Sequence, residues 1–73
     1  NKGYATEAVK TCIKIGFEQH HFNEILATIL PENIASQNVV KKAGMTHIED
    51  LIDHNLLHQI YSITKEQYYH LQK

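Results

Sequence analysis

The residues whose types and spacing best suit chemistry stand at the start of the chain, Asn1-Lys2-Gly3-Tyr4-Ala5-Thr6. A glycine lets backbone pass close to a bound anion, and the start of the helix predicted to follow aims its N–H groups and the positive end of its dipole at that point. The space so formed suits a diphosphate. A tight turn into a helix would use the same six residues with no ligand at all. After Pro31, Asn33 can cap a new helix by accepting from the free backbone N–H groups of its first turn.

The other reactive side chains give weaker patterns. Six histidines invite a metal reading, but His54 and His58 fall across a predicted turn and strand, where four residues span more than about 12 Å. His20 and His21 cannot point the same way from one helix end, and Cys12 adds no zinc spacing. No metal site is expected. Cys12 lies on an apolar helix face and is expected to be a small core residue, and Tyr68 and Tyr69 are expected to pack a last helix.

The elements that must position these groups follow from periodicity. Ala5, Ala8, Val9, Cys12, Ile13, Gly16 and Phe17 repeat at helical spacing, with Glu7, Lys10, Lys14 and Glu18 on other faces. This predicts a helix from Ala5 that lies close against a sheet, its face being lean. Glu24 to Leu30 is rich in β-formers and ends at Pro31, which predicts a strand. Asn33 then opens a helix to about Ala43, with apolar Ile34, Ala35, Val39, Val40 and Ala43, and Gly44 is placed for a left-handed C-terminal cap. Met45 to Leu51 and Leu56 to Ile63 predict a hairpin whose turn, residues 52–55, draws on Asp53 and Asn55. Thr64 with Gln67 predicts a capping box for a last short helix. The fold class is α/β (α+β mixed), in the order helix, strand, helix, strand, strand, helix, as a single domain over residues 1–73.

Length and charge narrow the classes. Seventy-three residues bury little core, and one cysteine makes no internal disulfide, so a partner surface or further sequence is expected. Seven basic against eight acidic residues argue against nucleic-acid binding. No apolar run approaches the length of a membrane span and no signal segment opens the chain. A cytoplasmic protein is expected, the lone cysteine suiting a reducing compartment.

Four blocks in order, Gly3-Tyr4-Ala5-Thr6-Glu7-Ala8, Phe17-Glu18, Asn33-Ile34-Ala35-Ser36 and Lys42-Ala43-Gly44-Met45, resemble the GNAT superfamily of acetyl-CoA-dependent N-acetyltransferases, especially the branch that acetylates ribosomal-protein N-termini. The resemblance covers essentially the whole chain and matches the C-terminal, coenzyme-gripping half of that domain. It implies a partial GNAT fold with an incomplete mixed sheet that lacks the N-terminal strands, the chain beginning mid-fold.

The resemblance further implies that backbone amides of Lys2, Gly3, Tyr4, Ala5 and Thr6 hold the acetyl-CoA pyrophosphate. Asn33 matches the family asparagine that contacts the pantetheine arm or fixes the strand end, and Ser36 a nearby coenzyme-side hydroxyl. Lys41 or Lys42 could meet the 3′-phosphate, although a solvated helix face is the favoured reading of both. Where some members carry a tyrosine as general acid, this chain has Val40, so the catalytic residues stay unassigned. Partners so implied are acetyl-CoA and an amine, whether a small molecule or a protein N-terminus, with a homo-oligomer or an association with a missing N-terminal half. The 73 residues alone are expected to have little or no activity. A reading from a different class is a non-catalytic dimerisation or interaction remnant, for which an exposed strand edge would want pairing.

Overall fold

A computed structural model describes residues 2–72, without the side chain of Lys2; Asn1, the first residue of the opening block, lies outside the described residues. The elements are α1 (Lys2–Glu18), β1 (Glu24–Ile29), α2 (Ile34–Lys42), β2 (Thr46–Asp53), β3 (Leu56–Thr64) and α3 (Lys65–Leu71). Their order is the one expected. The strands form a sheet in the order β1-β3-β2, antiparallel throughout among the described residues, with Ala27 opposite Tyr61 and Thr46 opposite Ser62.

α1 starts at Lys2, three residues before the expected Ala5, so Gly3 lies in its first turn and not in a turn ahead of it. Glycine is costly in a helix interior but not at an end where its neighbours supply the rhythm. At the other end, Gly16 lets the helix approach β1 and the following loop: a Cβ there would stand 2.8 Å from Ile25 Cδ1 and 3.0 Å from Phe22 Cδ2. The lean face predicted close packing, and this is where it occurs.

α2 has both ends as expected. Asn33 Oδ1 accepts the Ser36 amide at 3.1 Å. At the C-terminus the Gly44 amide donates to Lys41 and the Met45 amide to Val40, with Gly44 at φ 105, the paired bonds of a Schellman closure. α3 carries the full capping box, Thr64 and Gln67 each accepting the other's backbone amide on a side-chain oxygen. The hairpin turn is tighter than expected. Asp53 ends β2, and only His54 and Asn55 turn, both with positive φ (51 and 65), the conformation whose twist matches that of the strands.

Ile13, Phe17, Ile29, Val40, Ala43, Met45, Tyr61, Ile63 and Tyr68 form the core, between the helices and one face of the sheet. Phe17 and Tyr68 stack with ring centroids 5.2 Å apart, which ties α3 to α1. Tyr69 remains partly exposed against the Tyr68 ring edge.

Two expectations about the apolar faces fail. On α1, Ala5, Ala8 and Cys12 are exposed, so Cys12 is not a core residue; Ala8, Val9 and Cys12 instead border an open apolar groove of about 360 Å³ along β1. Among the described residues no strand pairs with the outer edge of β1. On α2, Ile34 is 58% exposed while Gln37 is buried, because the inward face is set by where the helix crosses the sheet and not by its most apolar residues. Among the described residues no helix is long and apolar enough to cross a membrane.

Candidate active site

The site is built by connectivity. α1 enters β1 through residues 19–23 and α2 leaves it through residues 30–33, so both helices run against β1 while sharing one core. This connectivity directs both N-termini toward the carboxyl end of β1, since the 17 residues of α1 rise about 25 Å, enough to span that strand. Helix starts and strand carboxyl ends are where α/β crossovers bind ligands, because donors and dipoles converge there.

At α1 the opening turn consists of Lys2, Gly3 and Tyr4, with Ala5 and Thr6 following. Gly3, Tyr4 and Ala5 are exposed and Thr6 is half-buried. A helix leaves the amides of its opening residues outside its own ladder, so a helix starting at Lys2 concentrates the donors on fewer residues than the sequence assigned. Gly3 and Thr6 already take part in contacts within the chain.

At α2 the geometry separates two functions of one side chain. Asn33 spends its carbonyl oxygen on the Ser36 amide, while among the described residues no hydrogen bond uses its amide nitrogen. Asn33 is exposed, and Ser36 is half-buried one turn on. The turn that presents Asn33 is closed by its own amide donating to Leu30 at 3.0 Å.

Gln37 also holds this turn, and sequence reasoning missed it. Its Nε2 donates to the Pro31 carbonyl at 2.7 Å from a buried position. The available signal was a polar residue three before Val40, on the same side of the helix as the core. Val40 is itself buried in the core, so the position where a tyrosine would supply a proton holds none.

Lys42 does not join this group. It ends α2, nine residues from Asn33, or about 13 Å along the axis. Lys41 lies beside it, and both border a different groove with Lys10 and Lys14. Of the sequence-assigned residues, Asn33 and Ser36 share the start of α2, those of the opening block fall in the first turns of α1, and Lys42 lies at the far end of α2.

Comparison with known proteins decides what scaffold this is. Residues 1–46, which contain α1, β1 and α2, match the family model described as the acetyltransferase (GNAT) domain. The chain belongs to the GNAT acetyltransferase family. It is 49% identical over 45 residues to the uncharacterized N-acetyltransferase YnaD of Bacillus subtilis, covering 62% of this chain and 26% of that protein. A GNAT-family acetyltransferase from Bacillus anthracis superposes with a TM-score of 0.80 at 35% identity, over 90% of this chain and 43% of that one. Aminoglycoside acetyltransferase AAC(6′)-Ib, solved with coenzyme A, shares the fold at a TM-score of 0.90 and 16% identity, over 100% of this chain and 42% of its own. The chain thus spans about a quarter of the curated relative and under half of the solved ones.

As a GNAT chain, it carries its family match on the elements that form the candidate site. All of the hairpin but Thr46, and α3, fall beyond the matched residues 1–46, yet α3 is joined to α1 by Tyr68, whose hydroxyl donates to Glu18 at 2.5 Å. That bond comes first among the causes that push the Tyr68 pKa up to about 12, followed by burial.

Proposed function

We propose that this GNAT chain is the coenzyme-gripping part of an acetyl-CoA-dependent N-acetyltransferase that acts by direct transfer. The reading is carried by the connectivity, in which α1 leads into β1 and α2 leaves it, so that both helix starts are directed toward the carboxyl end of β1. The first turn of α1, Lys2 to Tyr4 with Ala5 and Thr6 behind it, takes the diphosphate. Gly3 and Thr6 already have partners, which the diphosphate shares or displaces. The Asn33 amide nitrogen donates to a carbonyl of the pantetheine arm while its oxygen keeps the cap, and Ser36 lies within the same turn. Lys42, at the far end of α2, has the weakest place in this set.

In the reaction the amine nitrogen bonds to the thioester carbonyl carbon, the C–S bond breaks, and the proton lost by the amine balances the one gained by the departing thiolate. Positioning and fixed N–H dipoles do most of the work in such a step. Val40 offers no proton, so the thiolate takes one from water or from a group elsewhere. The acceptor is an amine; the resemblance to the ribosomal-protein branch makes a peptide α-amine the first to try, with polyamines and aminoglycosides as the alternatives. The open outer edge of β1 asks for another strand, from further sequence or a second copy. No observation favours the non-catalytic remnant.

Calorimetric titration with acetyl-CoA tests the reading, with Gly3→Pro and Asn33→Ala as variants. Binding that both substitutions weaken supports it. Binding indifferent to both, or no binding by the longest natural form of the protein, would sink it.

A further inference from the structure

Two polar side chains are buried among the described residues, Ser62 and Gln37. The Ser62 hydroxyl donates to Glu24, whereas Gln37 is only half satisfied. Its Nε2 donates to the Pro31 carbonyl at 2.7 Å and lies 3.5 Å from the Leu30 carbonyl, and no hydrogen bond uses its Oε1. These two carbonyls fix which atom is which, because a carbonyl accepts from nitrogen and not from oxygen. Among the described residues no enclosed side-chain oxygen or nitrogen lacks a partner, so Oε1 reaches the surface on a side chain that is only 8% exposed. A hydrogen bond made to such an acceptor is strong, since little water competes for it.

Asn33 is its complement. The two residues are four apart, on one side of α2 and about 6 Å along its axis. Asn33 gives its oxygen to the Ser36 amide and keeps its nitrogen; Gln37 gives its nitrogen to the Pro31 carbonyl and keeps its oxygen. The start of α2 thus offers one free amide donor and one free amide acceptor, a turn apart. Helix stability needs neither, because the cap uses only the Asn33 oxygen and the clamp only the Gln37 nitrogen. A ligand chain with amide links carries both matching groups, a carbonyl for Asn33 and an N–H for Gln37. An ester or hydrocarbon chain of the same length has no N–H to offer.

We infer that Gln37 Oε1 accepts an N–H of the pantetheine arm, which makes Gln37 a binding residue and the acceptor half of an amide-reading pair with Asn33. The inference rests on the acetyl-CoA reading above and adds to it a residue outside the four family blocks and outside the start of α1.

The test is a thermodynamic cycle between one side chain and one ligand atom. The longest natural form of the protein and its Gln37→Met variant are titrated calorimetrically with acetyl-CoA and with two analogues, in which each amide N–H of the arm in turn is replaced by an ester oxygen. Gln37→Met nearly keeps the volume and removes both polar atoms; circular dichroism checks its fold. An ester also weakens the neighbouring carbonyl toward Asn33, but that loss is common to both proteins and cancels in the cycle. For one of the two analogues the ester penalty should be about three- to ten-fold larger in the unaltered protein than in Gln37→Met. Gln37→Lys is the second variant, since it keeps a nitrogen for the Pro31 carbonyl and has no acceptor; the extra penalty should vanish there too. A purely structural Gln37 would weaken all three ligands alike in the variants. Equal ester penalties in the unaltered protein and either variant overturn the inference. If acetyl-CoA binds and Asn33→Asp weakens it while the cycle shows no coupling, the acetyl-transfer reading stands without Gln37. If acetyl-CoA does not bind, both fall.

Discussion

Gln37 donates to the Pro31 carbonyl at 2.7 Å, from a buried place on α2 back across the turn that delivers Asn33. The helix thereby clamps its own entrance. Gln37→Leu keeps the volume but leaves that part-buried carbonyl without its donor, and the cost should be about 1–3 kcal/mol. Urea denaturation measures it. An unchanged midpoint would show that water replaces the side chain and that the clamp is not needed.

Asn33 can be divided by substitution. Asn33→Asp retains an oxygen for the Ser36 amide, and a carboxylate at a helix start is favourable, so stability should hold. It loses the amide nitrogen, so acetyl-CoA affinity should fall. Asn33→Ala should lose both, with about 1 kcal/mol off stability. Thermal melts beside calorimetry decide; equal coenzyme affinity in Asn33→Asp and the unaltered protein would remove Asn33 from the site.

The two inner glycines should respond differently to alanine. At Gly44, φ is 105 and a Cβ would come within 2.8 Å of Leu71 Cδ1, so strain and crowding act together against Gly44→Ala; a loss of about 1–2 kcal/mol is expected. Gly16→Ala meets the movable end of Ile25 and the exposed ring of Phe22, and gains helix propensity of about 1 kcal/mol. The two terms should nearly cancel. A melt in which Gly16→Ala is the worse of the two would contradict this balance.

Tyr68 gives a pH dependence with a definite sign. Its folded pKa is raised, chiefly by the hydrogen bond to Glu18, from 10.0 to about 12. The folded state therefore holds a proton that the unfolded chain releases, and this contribution is complete below pH 10 and lost as pH rises toward 12. Tyr68→Phe should be less stable at neutral pH and should show a shallower loss across that alkaline window. Parallel slopes for the two proteins in urea melts would argue against the Glu18 bond.

The 73-residue chain by itself should transfer little or no acetyl group. Its β1 has no partner on the outer edge among the described residues, and the apolar groove beside that edge is open. A thiol-release assay with acetyl-CoA and a panel of amines measures it; turnover comparable to a full-length GNAT enzyme would refute the expectation.

What the sequence determined by itself were features settled within a few residues. Asn33 and Gly44 mark the ends of α2 because a cap and a left-handed residue are local requirements, and Thr64 with Gln67 does the same for α3. The order of elements and the four family blocks were legible for that reason.

The tertiary structure decided what depends on which surfaces meet. Cys12 and Ile34 have the periodicity of core residues yet are exposed, while Gln37 is buried, because burial is set by where a helix crosses the sheet. Lys10, Lys14, Lys41 and Lys42 are far apart in the chain and become one groove only when α1 and α2 pack together. Lys42 and Asn33 are close in sequence and stand at opposite ends of one helix. Periodicity gives a side chain's direction about its own axis; only packing gives that axis its neighbours.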